Sequence, residues 1–174
     1  MPSRSYTSRR ELEQYHFSAI ITLLVPIVLL LLQALLPRLS PILSLLDLPL
    51  LAVVYFSVAR RNPLAGTVTG TIIGLFADAL SGQPLGIRGI ADALVGYAAS
   101  SIGVKVDVDS LATRVLMIFG FTLLESALLF LIHRTMLGES QLHLAWVTEL
   151  LRAVLNAVIA IPLFLALDHF RLRD

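Results

Sequence analysis

Apolar stretches of membrane-spanning length dominate this chain of 174 residues, and they restrict its possible folds more than any other feature. The stretches occupy residues 17–36, 45–59, 64–80, 85–104, 111–132 and 145–167. A helix needs about 20 residues to cross about 30 Å of hydrocarbon. Because backbone groups in lipid must satisfy their own hydrogen bonds, we predict an all-α integral membrane protein with about six transmembrane helices. Its single transmembrane domain covers residues 17–168, between tails at 1–16 and 169–174.

Composition supports this assignment, because 57% of the residues are hydrophobic and only 14% are charged. An ordinary soluble domain carries about 25% charged residues. The second stretch matches a transmembrane helix least well, since Pro37, Pro41 and Pro49 interrupt the residues before it and at its start. We interpret it as a short or tilted helix, or as a partly re-entrant segment.

The basic residues predict the orientation, because loops rich in Arg and Lys stay in the cytoplasm. With six spans and a cytoplasmic N-terminus, the basic residues on the cytoplasmic side are Arg4, Arg9, Arg10, Arg60, Arg61, Lys105, Arg114, Arg171 and Arg173. The other side receives only Arg38, Arg88 and Arg134. We therefore expect both termini in the cytoplasm. The first stretch is too long for a signal-peptide h-region and is expected to remain as an anchor.

Glycines stand four residues apart in the third stretch, at Gly66, Gly70 and Gly74. Small residues at this spacing let a second helix backbone approach closely. Gly82 and Gly86 follow, and the fourth stretch continues with small residues at Ala93, Gly96, Ser100 and Gly103. We expect these residues to pack helices three and four together, to form a surface for a partner, or to do both.

Ionisable residues inside the spans fall in their outer parts. They form a predicted outer polar cluster of Asp78, Arg88, Asp92, Glu125, Glu149 and Arg152, with Asp47 at the outer start of the second helix. Such groups are tolerated in a bilayer when they are paired, protonated or hydrated. We expect Glu149 to pair with Arg152, and Arg88 to bridge Asp78 and Asp92. Alternatively, Asp47, Arg88 and Glu149 lie among lipid headgroups and are solvated.

Motifs for catalysis are absent from the sequence. There is no cysteine, no H-E-x-x-H zinc site, no G-x-S-x-G nucleophile elbow and no phosphate-binding loop. The histidines lie near segment ends, where solvated interface residues are common. We therefore predict no catalytic residue, no metal site and no cofactor, and a net charge of +1 gives no indication of nucleic-acid binding.

Several motifs between residues 48 and 103 resemble the MreD family of rod shape-determining proteins. The first is the run PLLAVVY at residues 49–55, which is followed by the basic turn RRNP at residues 60–63. The second is a spaced pattern made of Gly70, Gly74, Leu75, Asp78, Gly82, Leu85 and Gly86. Chain length and helix number also fit this family, whereas the last two helices match only in hydropathy.

The resemblance implies a non-enzymatic subunit of the bacterial elongasome, in the cytoplasmic (inner) membrane, that helps to position peptidoglycan synthesis. The implied direct partner is MreC, and the assembly includes MreB, RodA and its partner transpeptidase, with membrane lipid around it. On this interpretation the glycine stripe, which consists of Gly66, Gly70 and Gly74, and the outer polar cluster form a groove that binds MreC. A homodimer is also compatible with the glycine pattern.

The MreD family is similar in helix number and hydropathy to the substrate-binding subunits of energy-coupling-factor transporters. This similarity leaves a second hypothesis, a small-molecule-binding subunit whose outer pocket is lined by Asp78, Asp92, Glu125 and Arg152. The single tryptophan and the low aromatic content, 7%, count against a site that stacks a vitamin ring. A third hypothesis is a proton-coupled or lipid-handling carrier that uses the buried carboxylates.

Overall fold

The computed structural model describes residues 19–105, 110–138 and 145–169 of the chain. The N-terminal tail predicted at 1–16 lies outside these residues, as do residues 170–174 of the predicted C-terminal tail. The basic residues in those tails, which contributed to the predicted orientation, are therefore also outside the described part.

Helices account for all the regular structure in the described residues. In chain order they are α1 (Ala19–Leu39), a 3-10 turn (Leu43–Leu45), α2 (Leu48–Arg60), α3 (Pro63–Ser81), α4 (Ile87–Lys105), α5 (Leu111–Met136) and α6 (Trp146–Asp168). The prediction of an all-α membrane protein is confirmed at this level. We call the end of the bundle that holds Asp47 the outer end, following the predicted orientation, and the opposite end the inner end.

Five segments in the described part of the chain are long and apolar enough to cross a membrane. They are Ile21–Leu39, Leu43–Arg60, Pro63–Ser81, Ala112–Met136 and Trp146–Asp168. The second stretch, expected to be the least secure, is among the five. Helix α4 has 19 residues but is less apolar, because Arg88, Asp92 and several glycines and serines interrupt it. A sixth span therefore stays a prediction.

Helix α2 lies at the centre of the bundle and contacts every other helix. All its residues from Leu48 to Ala59 are buried. The helix begins at Asp47, whose side chain accepts a hydrogen bond from Leu50 N at 3.2 Å, and Pro49 suits the first turn because it needs no donor there. It ends at Arg61 in the left-handed conformation, with φ 49°.

The non-helical segment before α2 is held by Gln33 of α1. The Gln33 side-chain amide donates to the Leu46 carbonyl at 2.8 Å and accepts from Leu48 N at 3.1 Å. Exposed backbone groups are costly in hydrocarbon, so irregular backbone at membrane depth needs such partners. Gln33 therefore makes it possible for α1 to turn directly into the central helix.

The inner ends of α2, α5 and α6 are joined by a polar contact. The Tyr55 hydroxyl donates to Asp168 Oδ1 at 3.0 Å, and Arg114 forms an ion pair with the same carboxylate. The Tyr55 ring also packs against Phe164, with ring centroids 5.1 Å apart. This contact fixes the position of α6 at the end opposite to the predicted outer polar cluster.

Candidate functional site

The glycine stripe of α3 faces α4 at backbone contact distance. A Cβ atom added to Gly74 would lie 2.6 Å from the Arg88 carbonyl oxygen, and one on Gly70 would lie 2.6 Å from the Asp92 carbonyl carbon. At Gly66 it would collide with Ser100 and with the backbone of Gly96. All of these distances are below the 3.0 Å that real Cβ atoms respect. The stripe is therefore occupied by α4, and a partner helix cannot use that face.

Gly82 and Gly86 have a different role from the packing that was expected of them. They lie in the turn between α3 and α4, with φ angles of 66° and 102°, where a side chain would strain the backbone. No atom lies within 4 Å of an added Cβ at either position. These two glycines therefore shape the turn and do not pack helices together.

Asp78 connects the end of α3 to the start of α4. Its carboxylate accepts hydrogen bonds from Gly86 N at 2.8 Å and from Arg88 N at 3.1 Å. A carboxylate is favourable at this position because the first N–H groups of a helix have no partner within the helix and carry partial positive charge. Asp78 is fully buried, so the stripe and the cap together make the α3–α4 hairpin one rigid unit.

A buried ion-pair network lies next to this hairpin and is centred on Asp47. Asp47 Oδ2 lies 2.9 Å from Arg88 Nη1 and 2.5 Å from Arg152 Nη2. The same two guanidinium groups reach Glu125, at 3.8 Å from Arg88 and 3.3 Å from Arg152. These four residues come from the outer ends of α2, α4, α5 and α6, so the network joins four helices.

The two remaining acidic residues of the predicted cluster, Glu149 and Asp92, differ in their contacts. Glu149 Oε2 accepts a hydrogen bond from the Ser126 hydroxyl at 2.5 Å and lies 3.9 Å from Arg152 Nη1. Asp92 is fully buried, and neither of its carboxylate oxygens has a hydrogen-bond partner among the described residues. Asp92 is therefore the one acidic group of the cluster that no described contact satisfies.

The predicted bridge from Arg88 to Asp78 and Asp92 is wrong. Arg88 instead extends to Asp47 and Glu125, because Asp78 is occupied by backbone N–H groups of the following helix. The solvated alternative is also wrong for Asp47, whose side chain is 1% exposed. Arg88 and Glu149 keep about a fifth of their side-chain surface exposed, at 21% and 22%.

Asn156 supports the network from α6 and was not predicted from the sequence. Its side-chain oxygen accepts a hydrogen bond from Asp47 N at 2.8 Å, and the residue is fully buried. The available signal was a lone carboxamide in an otherwise apolar span, which is costly in lipid unless it has a partner. Asp47 was predicted to lie beside the cluster, whereas it lies at the centre of the network.

The arrangement is suited to holding helices together. Its arginines are directly engaged by carboxylates, and no group of residues suited to metal binding occurs within the described ranges. Removing one partner from a buried ion pair costs about 3–5 kcal/mol, because the other charge is left buried and uncompensated. The network therefore resists separation of the four outer helix ends.

Comparison with protein families places the chain in a family. A family model described as rod shape-determining protein MreD matches residues 13–171, which is nearly the whole chain. In two further comparisons, no curated protein and no solved structure matched the chain.

Proposed function

This chain belongs to the MreD family and so takes part in determining rod shape, and from that premise we propose that it is a non-enzymatic membrane scaffold that binds MreC. In this role it helps to position peptidoglycan synthesis within an elongasome that also contains MreB, RodA and its partner transpeptidase. The family is a structural one and is not known for an enzymatic activity. The proposed scaffold acts by holding a partner in place, because binding energy fixes the partner helix in the bilayer.

The observation that carries this proposal is the buried network joining the outer ends of α2, α4, α5 and α6. A scaffold needs helices that keep their relative positions when a partner binds. Ion pairs across four helices, together with the glycine contacts of α3 and α4, supply that rigidity. The same network disfavours a solute-binding subunit, since the arginines and carboxylates that would bind the solute already contact one another.

The surface that we assign to MreC is the exposed face of α4. Its glycines face the bundle, whereas Ile90, Leu94 and Tyr97 are exposed. Residues at this spacing form one stripe along a helix. The glycine stripe of α3 contributes indirectly, because it holds α4 in place and leaves this outward face for a partner helix.

We place the protein in the inner membrane as a multi-pass protein with both termini in the cytoplasm. The orientation depends mainly on the basic residues of the two tails, because Arg60, Arg61 and Arg114 at the inner end of the bundle are matched by Arg38, Arg88 and Arg134 at the outer end. Basic residues at one side of the membrane are the strongest indicator of the cytoplasmic face.

Co-purification with tagged MreC from native membranes tests the proposal. We expect wild-type protein to retain MreC, and Leu94→Trp to lower the recovered MreC by roughly tenfold, which is the scale of an interface hot spot. Leu150→Trp on α6 is the matched control, since Leu94 and Leu150 are 49% and 48% exposed. Wild-type protein that retains no MreC would refute the partner, and equal recovery with both variants would refute only the assigned surface.

A further inference from the structure

A lateral groove separates α1 from α3 on the side of the bundle away from α4. It is a cavity of about 830 Å³, with α1 contributing Leu23, Ile27 and Leu31 and α3 contributing Val68, Ile72 and Phe76. Between Val68 and Leu80 its wall extends about 18 Å at 1.5 Å per residue. That length is comparable to one leaflet, which is half of about 30 Å of hydrocarbon.

The groove is polar only at its inner end. Arg60, the last residue of α2, lines it there together with Thr22 and Thr69. The Arg60 guanidinium donates to the Thr69 hydroxyl at 3.5 Å, and no carboxylate in the described part of the chain forms an ion pair with Arg60. A cation at one end of an otherwise apolar groove complements an amphiphile with an anionic head.

Charge distinguishes the groove from the α4 face assigned to MreC. Both surfaces carry large apolar side chains, such as Ile72 and Phe76 in the groove and Leu94 on α4, but among the described side chains only the groove has a cation, Arg60, at one end. The glycines of α3 point to α4.

We propose that this α1–α3 groove binds an anionic phospholipid from the leaflet at the inner end of the bundle. The lipid phosphate lies at Arg60, where the guanidinium donates charge-assisted hydrogen bonds to it. An acyl chain then runs between α1 and α3 toward Phe76 and fills the space between the two helices. This site does not depend on the proposed binding of MreC, which is assigned to the opposite face of the hairpin.

Native mass spectrometry of the detergent-solubilised protein, titrated with phosphatidylglycerol or phosphatidylcholine, tests the headgroup contact. We expect wild-type protein to prefer phosphatidylglycerol, and Arg60→Gln to weaken that binding by roughly tenfold, as for loss of a charge-assisted hydrogen bond. Arg60→Lys should restore part of the preference. Arg61→Gln is the matched control, since it removes the next positive charge along the chain but does not line the groove. Equal binding of both lipids, or equal loss in the two glutamine variants, would overturn the proposal.

Filling the groove tests the acyl-chain contact independently. Ile72→Trp places a large ring in the cavity, whereas Ile90→Trp places it on the outward face of α4, and the two isoleucines are 48% and 47% exposed. We expect only Ile72→Trp to reduce lipid retention, with both variants eluting as folded protein in size-exclusion chromatography. Unchanged retention in Ile72→Trp would overturn the site. If wild-type protein retained no lipid and the Ile72→Trp variant no longer bound MreC, the groove would instead be the site of a partner helix.

Discussion

Replacing Gly70 with alanine is the sharpest test of the packing argument, because the added Cβ meets only backbone. It would lie 2.6 Å from the Asp92 carbonyl carbon and 3.0 Å from Ala93 N, with the Asp92 carbonyl oxygen closer still. Ordinary contacts begin at 3.4 Å, so α3 and α4 must separate by at least 0.8 Å at this point. Backbone atoms cannot rotate away as a flexible side chain can.

The expected cost follows from two opposing effects. Overpacking of a well-packed interior costs about 1–3 kcal/mol, and a clash with backbone belongs at the upper end of that range. Alanine gains about 1 kcal/mol over glycine in helix propensity. The net loss is therefore about 2 kcal/mol, which lowers the melting temperature by about 4–8 °C for a chain of this size.

Gly120→Ala is the matched control for this experiment. Gly120 lies within α5, and no atom lies within 4 Å of its added Cβ. The same substitution there should stabilise the protein by up to about 1 kcal/mol, because only the propensity gain remains. Thermal unfolding in detergent, followed by far-ultraviolet circular dichroism, compares the two variants. A Gly70→Ala protein at least as stable as Gly120→Ala would refute the close contact of α3 and α4.

Three further substitutions probe the polar contacts. Arg88→Gln should lower the free energy of unfolding by about 1.5–3 kcal/mol, the scale of one hydrogen bond to a charged group, because Asp47 keeps Arg152 as a partner; a double-mutant cycle with Asp47→Asn should show coupling between the two residues. Asp78→Ala should cost about 0.5–2 kcal/mol by removing the cap of α4, measured as a lower melting temperature; no change would show that the cap is dispensable. Tyr55→Phe should cost about 1 kcal/mol through the lost hydrogen bond to Asp168, and a double-mutant cycle with Asp168→Asn should show coupling between the two sites.

The spacing of residues along one element was predictable because it depends only on local geometry. Gly66, Gly70 and Gly74 stand on one face of any α-helix, so a close contact along that face could be anticipated. Asn62 followed by Pro63 is a typical helix start, and the structure has the Asn62 side chain accepting from Leu64 N at 3.0 Å. Hydropathy likewise indicated the spans without reference to their neighbours.

Partners across the bundle could not be predicted in the same way. Asp47 contacts Arg88 and Arg152, which follow it by 41 and 105 residues. Each carboxylate of the cluster had more than one plausible arginine partner. Arg88 was predicted to pair with the wrong carboxylates, Asp78 and Asp92. Choosing between them requires the positions of four helix ends at once, and these are set by packing around α2.

Three properties were predictable from local sequence: that this chain is a helical membrane protein, which face of α3 carries glycines, and that acidic residues collect toward the outer parts of the spans. These properties follow from hydropathy and from the 3.6-residue helical repeat, and both are local. The tertiary structure alone decided that the short second helix is the centre of the bundle and that Asp47 is the centre of its ion pairs. The physical reason is that burial and charge pairing depend on distances between segments far apart in the chain, and only the packed helices fix those distances.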